Sequence, residues 1–235
     1  MGSALKNALE DLLRARRLQK PGPPLRGEDR RLRPLATGIA AVDGLMGGGL
    51  PRGQLSEFYG PASSGRTGLA LALLAQVTQA GALAAWADPA DSLDPAVASA
   101  AGVDLTRLLW LRGEARSQAI PASVAAVGTL VGSGLFDAIV LDLAGIPPRD
   151  VGRLPGATWI RFQRMIEETP AALVLLAGVH VAHGPCGVSL CLEPGAPLWS
   201  GAPGSGRLLR GLRAAARAGR HALRGACFEL RSPSH

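Results

Sequence analysis

Aromatic side chains are scarce: four Trp, four Phe and one Tyr in 235 residues, 4% of the chain. Ala, Leu and Val must therefore fill most of any core. Lysine is rarer still, with Lys6 and Lys20 the whole complement, so nearly all basic charge is arginine. Arginine favours bidentate contact with phosphate or carboxylate, although a GC-rich coding bias gives the same preference. Three cysteines, an odd number, argue against a disulfide framework and fit a reducing compartment. No apolar run approaches the roughly 18 residues that span a bilayer. The best, Ala171 to Ala182, reads as a buried strand. No apolar stretch follows the first basic residues, so a secretory leader is not expected and the expected location is cytoplasmic. Gly (31) and Pro (18) are numerous but show no repeating period, which excludes a collagen-like chain.

What is present is a globular composition, 47% hydrophobic and 18% charged. The length suits one domain with a short appendage, and it is enough to bury a core without disulfides or metal. The net charge of +7 is unevenly placed. Residues 1–34 hold nine basic and four acidic side chains; residues 207–235 hold seven and one; the middle, 35–206, holds nine and thirteen. Basic ends on a mildly acidic centre suggest a polyanion or an acidic partner surface. A solvated surface that binds nothing in particular is the plainer alternative at each end. Charge and texture divide the chain into 1–34, 35–206 and 207–235.

Leu5, Ala8, Leu9, Leu12 and Leu13 recur at helical spacing, ended by Pro21, Pro23 and Pro24. This amphipathic helix packs on its own domain or docks on a neighbouring subunit; the pattern fits both. From Leu35 onward, short apolar strands alternate with helices. Strands are expected at 55–59, 82–87, 108–111, 136–143 and 171–178, and helices at 40–46, 67–80, 93–101, 119–131 and 159–168. Such alternation implies an α/β fold with a parallel sheet covered on both faces. Beyond Val188, Ser189–Leu192 and Ala226–Leu230 read as further strands. Between them stand Arg207, Arg210, Arg213, Arg217, Arg220 and Arg224. Their spacing forms one stripe on a helix, weakened by Gly211 and Gly219. Two strands with an Arg-rich turn fit as well. Either arrangement concentrates six guanidinium groups, a candidate nucleic-acid contact whose affinity would fall with salt.

The most informative segment is Gly60-Pro61-Ala62-Ser63-Ser64-Gly65-Arg66-Thr67, which follows a strand and opens a helix. A phosphate-binding loop needs that context, with small residues that let backbone N–H groups converge on phosphate oxygens. Gly60, Ser63, Ser64 and Gly65 supply the loop. Thr67 is the candidate Mg²⁺ hydroxyl, while Arg66 takes the place of the usual Lys, a swap that is not conservative. A second nucleotide element is an acidic residue ending an apolar strand, and Ala138-Ile139-Val140-Leu141-Asp142 supplies it. Asp142 is therefore the candidate Mg²⁺ carboxylate.

These residues carry a resemblance. Thr37-Gly38, Asp43, Gly48-Gly49-Leu50-Pro51-Arg52-Gly53, Glu57-Phe58-Tyr59-Gly60-Pro61 and Ser63-Ser64-Gly65 resemble the stretch around the nucleotide loop of RecA-type recombinases. Trp86-Ala87-Asp88, Leu93-Asp94-Pro95 and Ala101-Gly102-Val103-Asp104 continue it in register. The resemblance covers residues 35–192 and implies a RecA-like P-loop core, ATP and Mg²⁺ as cofactors, and an N-terminal helix in the place of an oligomerising arm. It also makes the departures legible. Besides Arg66, Ala90 stands where RecA-like enzymes place the Glu that activates the attacking water, with Asp91 one position off. Val97 stands where an aromatic stacks on adenine, though Asp94 keeps the matching acidic residue. Gly178 and a short turn leave little of the Gln switch and DNA-binding loop, and no separate C-terminal domain is expected. A RecA-like chain degraded at these points is similar to the ImuA family. That similarity implies a non-motor accessory role in damage-induced (SOS) mutagenesis and translesion synthesis. Its implied partners are RecA, a Y-family polymerase paralogue, an error-prone replicative polymerase and DNA, and its nucleotide pocket would take ATP weakly, if at all. The rival expectation is an active DNA-stimulated ATPase in which Asp91 replaces the missing base.

Other constellations carry less. His180, His183, Cys186 and Cys191 match no usual zinc spacing and read as a tight turn with incidental cysteines. Trp199, in a Pro- and Gly-rich stretch, reads as a packing residue before a base-stacking one.

Overall fold

Why the middle of this chain forms a sheet follows from its apolar runs, which have no polar face to turn to water. The computed structural model describes Asp11 and residues 33–113, 119–183, 187–201, 206–219 and 225–231. The amphipathic helix expected at the N-terminus lies outside these residues.

The strands are β1 (Gln54–Tyr59), β2 (Ala84–Asp88), β3 (Leu108–Arg112), β4 (Ala138–Leu143), β5 (Ala172–Ala177), β6 (Ser189–Ser200), β7 (Leu208–Ala218) and β8 (Gly225–Arg231). They form one sheet in the order β3-β2-β4-β5-β1-β6-β7-β8. The pairs from β3 through β6 are parallel, and β6-β7-β8 are antiparallel. The sheet runs on across residue 206, where charge alone divides the chain. This is the α/β architecture expected from the sequence: a mostly parallel sheet flanked by helices.

Helices α1 (Ala40–Leu45), α2 (Arg66–Gln79), α3 (Pro95–Ala100), α4 (Ala119–Ser133), α5 (Pro148–Val151) and α6 (Ala157–Glu167) cover the two faces. Alternate residues of each strand separate into two cores, as a two-residue period requires. Val140, Val174 and Leu176 pack with Leu69 and Leu73 of α2, while Ile139, Leu141 and Leu173 pack with Val127 of α4 and Phe162 of α6. Among so many alanines, Trp86 in β2 is the largest fully buried side chain.

Arg52 fastens the start of three strands. Its Nη1 donates to Asp137 Oδ2 (3.0 Å), just before β4, and to the Pro170 carbonyl (2.7 Å), just before β5. At the opposite, C-terminal ends the parallel strands release their chain into the loops that form the site. Among the described residues no helix is long and apolar enough to cross a membrane.

Candidate functional site

β1 delivers the chain directly into the loop Gly60–Gly65 and then into α2. The loop is held by conformations that few residues adopt. Ser63 (φ 60°) and Gly65 (φ 88°) are left-handed, and a Cβ on Gly60 would collide with the Leu192 carbonyl of β6. No side chain caps α2, so its first amides face the loop. Ser64 Oγ is buried without a hydrogen-bond partner. An orphaned hydroxyl inside a loop of converging amides is what a bound phosphate would satisfy.

Arg66 changes this picture. Its side chain is only 8% exposed. Nη1 donates to the Gly60 carbonyl and to the Ala177 carbonyl at the end of β5 (2.5 Å for the latter). The guanidinium thus lines the cavity beside the loop, tied to the Gly60 and Ala177 carbonyls. Burial lowers its proton affinity and nearby Asp142 raises it, yet a guanidinium in a protein stays charged.

One cavity of about 390 Å³ is lined by Ser63, Arg66, Thr67, Asp94 and Asp142 together. Gly60, Ser64 and Gly65 form the loop behind it. Thr67 is exposed on the first turn of α2. Asp142 ends β4 and accepts from the Ala144 amide (2.9 Å). Burial, then the neighbouring Asp88 carboxylate, push its pKa up to about 6; the Ala144 amide and Arg66 pull the other way. At neutral pH it is mostly ionised. A hydroxyl and a carboxylate on one cavity fit a magnesium ion, which prefers few protein ligands and keeps its waters. For a phosphate, the loop amides and the Ser64 hydroxyl fit, whereas Arg66, tied to two carbonyls, differs from a lysine in shape and reach.

Asp94 caps α3, accepting from the amides of Ala96 (2.8 Å) and Val97 (3.4 Å). Val97 offers an exposed aliphatic surface there. Ala90 offers no carboxylate. Asp91, at φ 52°, is drawn to the end of β3, where Arg112 binds it through two hydrogen bonds (2.7 and 2.8 Å) and holds its carboxyl below the usual range.

Two buried acids were not singled out as site residues by the sequence. Asp88, ending β2 beside Asp142, accepts from the Leu93 amide (2.8 Å), Ser92 Oγ (3.3 Å) and Trp110 Nε1 (3.2 Å). Glu57 is 0% exposed in β1. It binds His180 Nδ1 (2.5 Å) and accepts from the amides of Val181 (2.7 Å) and Ala182 (3.3 Å), fixing the segment after β5. Among the described residues no group of three or more His, Cys, Asp or Glu is placed to hold a metal ion; Cys186 lies outside them.

Of the two arrangements open for the six arginines, the described ones follow the strand. Arg210, Arg213 and Arg217 are in β7, Arg207 precedes it, and Arg220 and Arg224 lie outside the described residues. Arg213 pairs with Glu229 (3.1 Å) and Arg217 with Glu193. Arg207 lies over the Trp199 ring, 5.4 Å from its centre, and Arg210 Nε donates to Ser200 Oγ (2.8 Å).

Residues 25–153 match the family model of the RecA N-terminal domain. Among similar curated proteins, RecA of Rubrobacter xylanophilus is 44% identical over 117 residues, 49% of this chain and 33% of that protein. RecA of a Nostoc species is 40% identical over 120 residues, 51% of this chain and 32% of that protein. RecA of Rhodospirillum centenum is 43% identical over 117 residues, 49% of this chain and 32% of that protein. The match thus spans about a third of these relatives' length.

Proposed function

We propose, from the premise that this chain belongs to the RecA family, that it is a non-motor accessory protein of damage-induced mutagenesis and translesion DNA synthesis. This is the role its resemblance to the ImuA family implies. It would act by contacting RecA, the Y-family polymerase paralogue with its error-prone replicative polymerase, and DNA. One observation carries the reading: Arg66, in the place of the usual Lys, is engaged by the carbonyls of Gly60 and Ala177. Nη1 must give up those carbonyls before it can donate to a phosphate as a lysine would. If Mg²⁺ and ATP do bind, Thr67 and Asp142 would hold the ion, the loop amides would hold the phosphates, and the ion would neutralise phosphate charge. No side chain at position 90 could take a proton from water. Loss of one catalytic group commonly lowers a rate by several orders of magnitude.

The test is ATP turnover by the full chain, with and without single-stranded DNA. The expected result is none in either condition, with ATP binding that strengthens in Arg66→Lys. DNA-stimulated turnover comparable to that of RecA would overturn the reading. It would favour the second one, an active DNA-stimulated ATPase, which has its own support in Thr67 and Asp142 sharing one cavity. In that case Asp91→Ala should abolish turnover and spare binding. Turnover that survives Asp91→Ala would exclude Asp91, already engaged by Arg112, as the base.

A further inference from the structure

α2 and α4 are both nearly free of charge, for different reasons. α2 buries nine of its fourteen residues, including Arg66, its one charged side chain. α4 buries six of fifteen, yet holds no acidic or basic residue at all. A helix at the surface ordinarily turns charged side chains to water. Here Pro121, Ala122, Ala125 and Gly132 are exposed instead. α4 approaches α6 at Gly128, where an added Cβ would stand 3.7 Å from Met165 Cε and 3.9 Å from Arg161 Nη2. Between the N-terminal turns of the two helices lies a cavity of about 980 Å³. Ile120 and Val124 of α4, with Leu154 and Pro155 before α6, give it an apolar lining. It shares no residue with the cavity lined by Thr67 and Asp142.

The rim of this groove is basic. Arg153 and Arg161 line it, and both are exposed. Asp150 is the one acid among the described lining residues, and Arg153 (3.0 Å) and Arg149 (4.0 Å) share it. Arg161 lies over the Phe162 ring, 5.9 Å from its centre, and makes no ion pair with any described residue. No side chain caps α6, so its first amides add to the positive field there. Glu167 and Glu168, at the far end of α6, lie outside the groove. An apolar trough between two helices, edged by cations, suits a third helix with carboxylates along its flanks. The chain's own residues 1–34 hold nine basic and four acidic side chains, and a second copy of this face would bring the same arginines. Both would meet the rim with like charge.

We propose that the groove between α4 and α6 docks an acidic amphipathic helix of a partner protein, its apolar side chains against Ile120, Val124 and Leu154 and its flanking carboxylates on Arg153 and Arg161. Charge selects the occupant, and the neutral face of α4 lets it approach without stranding a buried ion. The surface owes nothing to the loop at residues 60–67, so docking does not depend on whether the chain turns over ATP.

The test uses the full chain and three labelled peptides: a designed helix of leucine and glutamate with its leucines on one face, the same helix with lysine for glutamate, and residues 1–20 of this chain. The leucine–glutamate helix should bind and the other two should not. Ala125→Glu, at an exposed position in the groove wall, should weaken that binding about tenfold. Arg153→Glu with Arg161→Glu should shift the preference to the lysine helix by a similar factor, the scale of two exposed ion pairs turned to repulsion. Should Ala125→Glu fail to fold, the paired arginine reversal reads the same contact. Equal binding of the glutamate and lysine helices would overturn the proposal and leave an unselective apolar surface. Tighter binding of the 1–20 peptide would overturn it in favour of the chain's own N-terminal segment. A dimer seen by sedimentation and lost in Ala125→Glu would overturn it in favour of a second copy. Binding of the leucine–glutamate helix that neither variant changes would overturn it by placing that helix elsewhere, and no binding by any peptide would overturn it outright. None of these outcomes bears on ATP turnover, so the accessory reading stands or falls separately.

Discussion

β4 and β5 bury every one of their residues, whereas β7 buries two of eleven, Ala214 and Ala216. The two halves of one sheet thus hold their polar groups in opposite surroundings. In the parallel half, Glu57, Asp88 and Asp142 sit at or near the C-terminal strand ends, out of water, each held by amides or side chains. In the antiparallel half, arginines stand in water beside a few exposed acids. Charge in low dielectric is costly and directional, while charge at the surface is cheap and screened. The parallel half can therefore position an ion or a proton, and the antiparallel half can attract a polyanion.

The sharpest way to break this contrast is at Glu57. Glu57→Ala would leave His180 and two amides without their buried partner. The expected cost is about 3 kcal/mol, seen as a fall in melting temperature of roughly 6–12 °C for a domain of this size. A variant that melts with the parent would mean that the interior acids do not differ energetically from the surface ones.

Asp142 gives the next largest effect, with a sign set by pH. Its folded pKa of about 6 lies above the ordinary value of 3.8 for an aspartate, so the folded chain holds this proton more tightly than the unfolded chain. The contribution is fully present below about pH 4 and lost as pH rises through about 6. Above that range burial of the carboxylate costs on the order of 3 kcal/mol. Asp142→Asn should accordingly raise the melting temperature at pH 8 and leave it nearly unchanged at pH 4. A gain of equal size at both would assign the effect to packing rather than to charge.

Asp43 tests a junction that belongs to neither half. It accepts from the Thr37 amide and hydroxyl (both 2.8 Å) and from the Gly38 amide (3.1 Å), closing the turn before α1. Asp43→Ala should cost about 1–2 kcal/mol, measurable by urea titration with an unchanged slope. The smallest effect is expected at Arg213. Its pair with Glu229 is exposed, and such pairs contribute little, so Arg213→Ala should leave thermal melting unchanged. A clear loss would show that the antiparallel half also relies on its charges for stability.

The same contrast explains what could be read in advance. The loop at residues 60–67 and Asp142 were legible because strand, glycine-bearing turn and helix follow one another locally. The parallel strands were legible because a strand buried on both faces must be apolar throughout. The strand expected at Ser189–Leu192 is longer in the structure, although it carries Pro194, Gly195 and Pro197. It continues to Ser200 because the register shifts between Pro194 and Pro197, where the ladder does not require their amides. The stretch Leu208–Ala218 left helix and strand open. Ala, Leu and Arg favour a helix in isolation, but pairing with β6 and β8 imposes the strand, and Ala214 and Ala216 turn inward while Arg213 and Arg217 turn out. The Glu57–His180 contact joins residues 123 positions apart, and no local pattern announces it. The one-residue bulge at Arg210, beside Trp199, is likewise encoded by no periodicity.

The Arg52 clamp fastens β1, β4 and β5 at the margin opposite the cavity lined by Thr67 and Asp142. A sheet secured along one margin opens like a fan, from the free margin inward. Amide hydrogens near Gln54, Ala138 and Ala172 should then exchange with solvent only when the whole domain unfolds. Those near Tyr59, Leu143 and Ala177 should exchange through smaller openings. Slowed exchange confined to the free margin would register occupancy of the cavity even where no atom visibly moves.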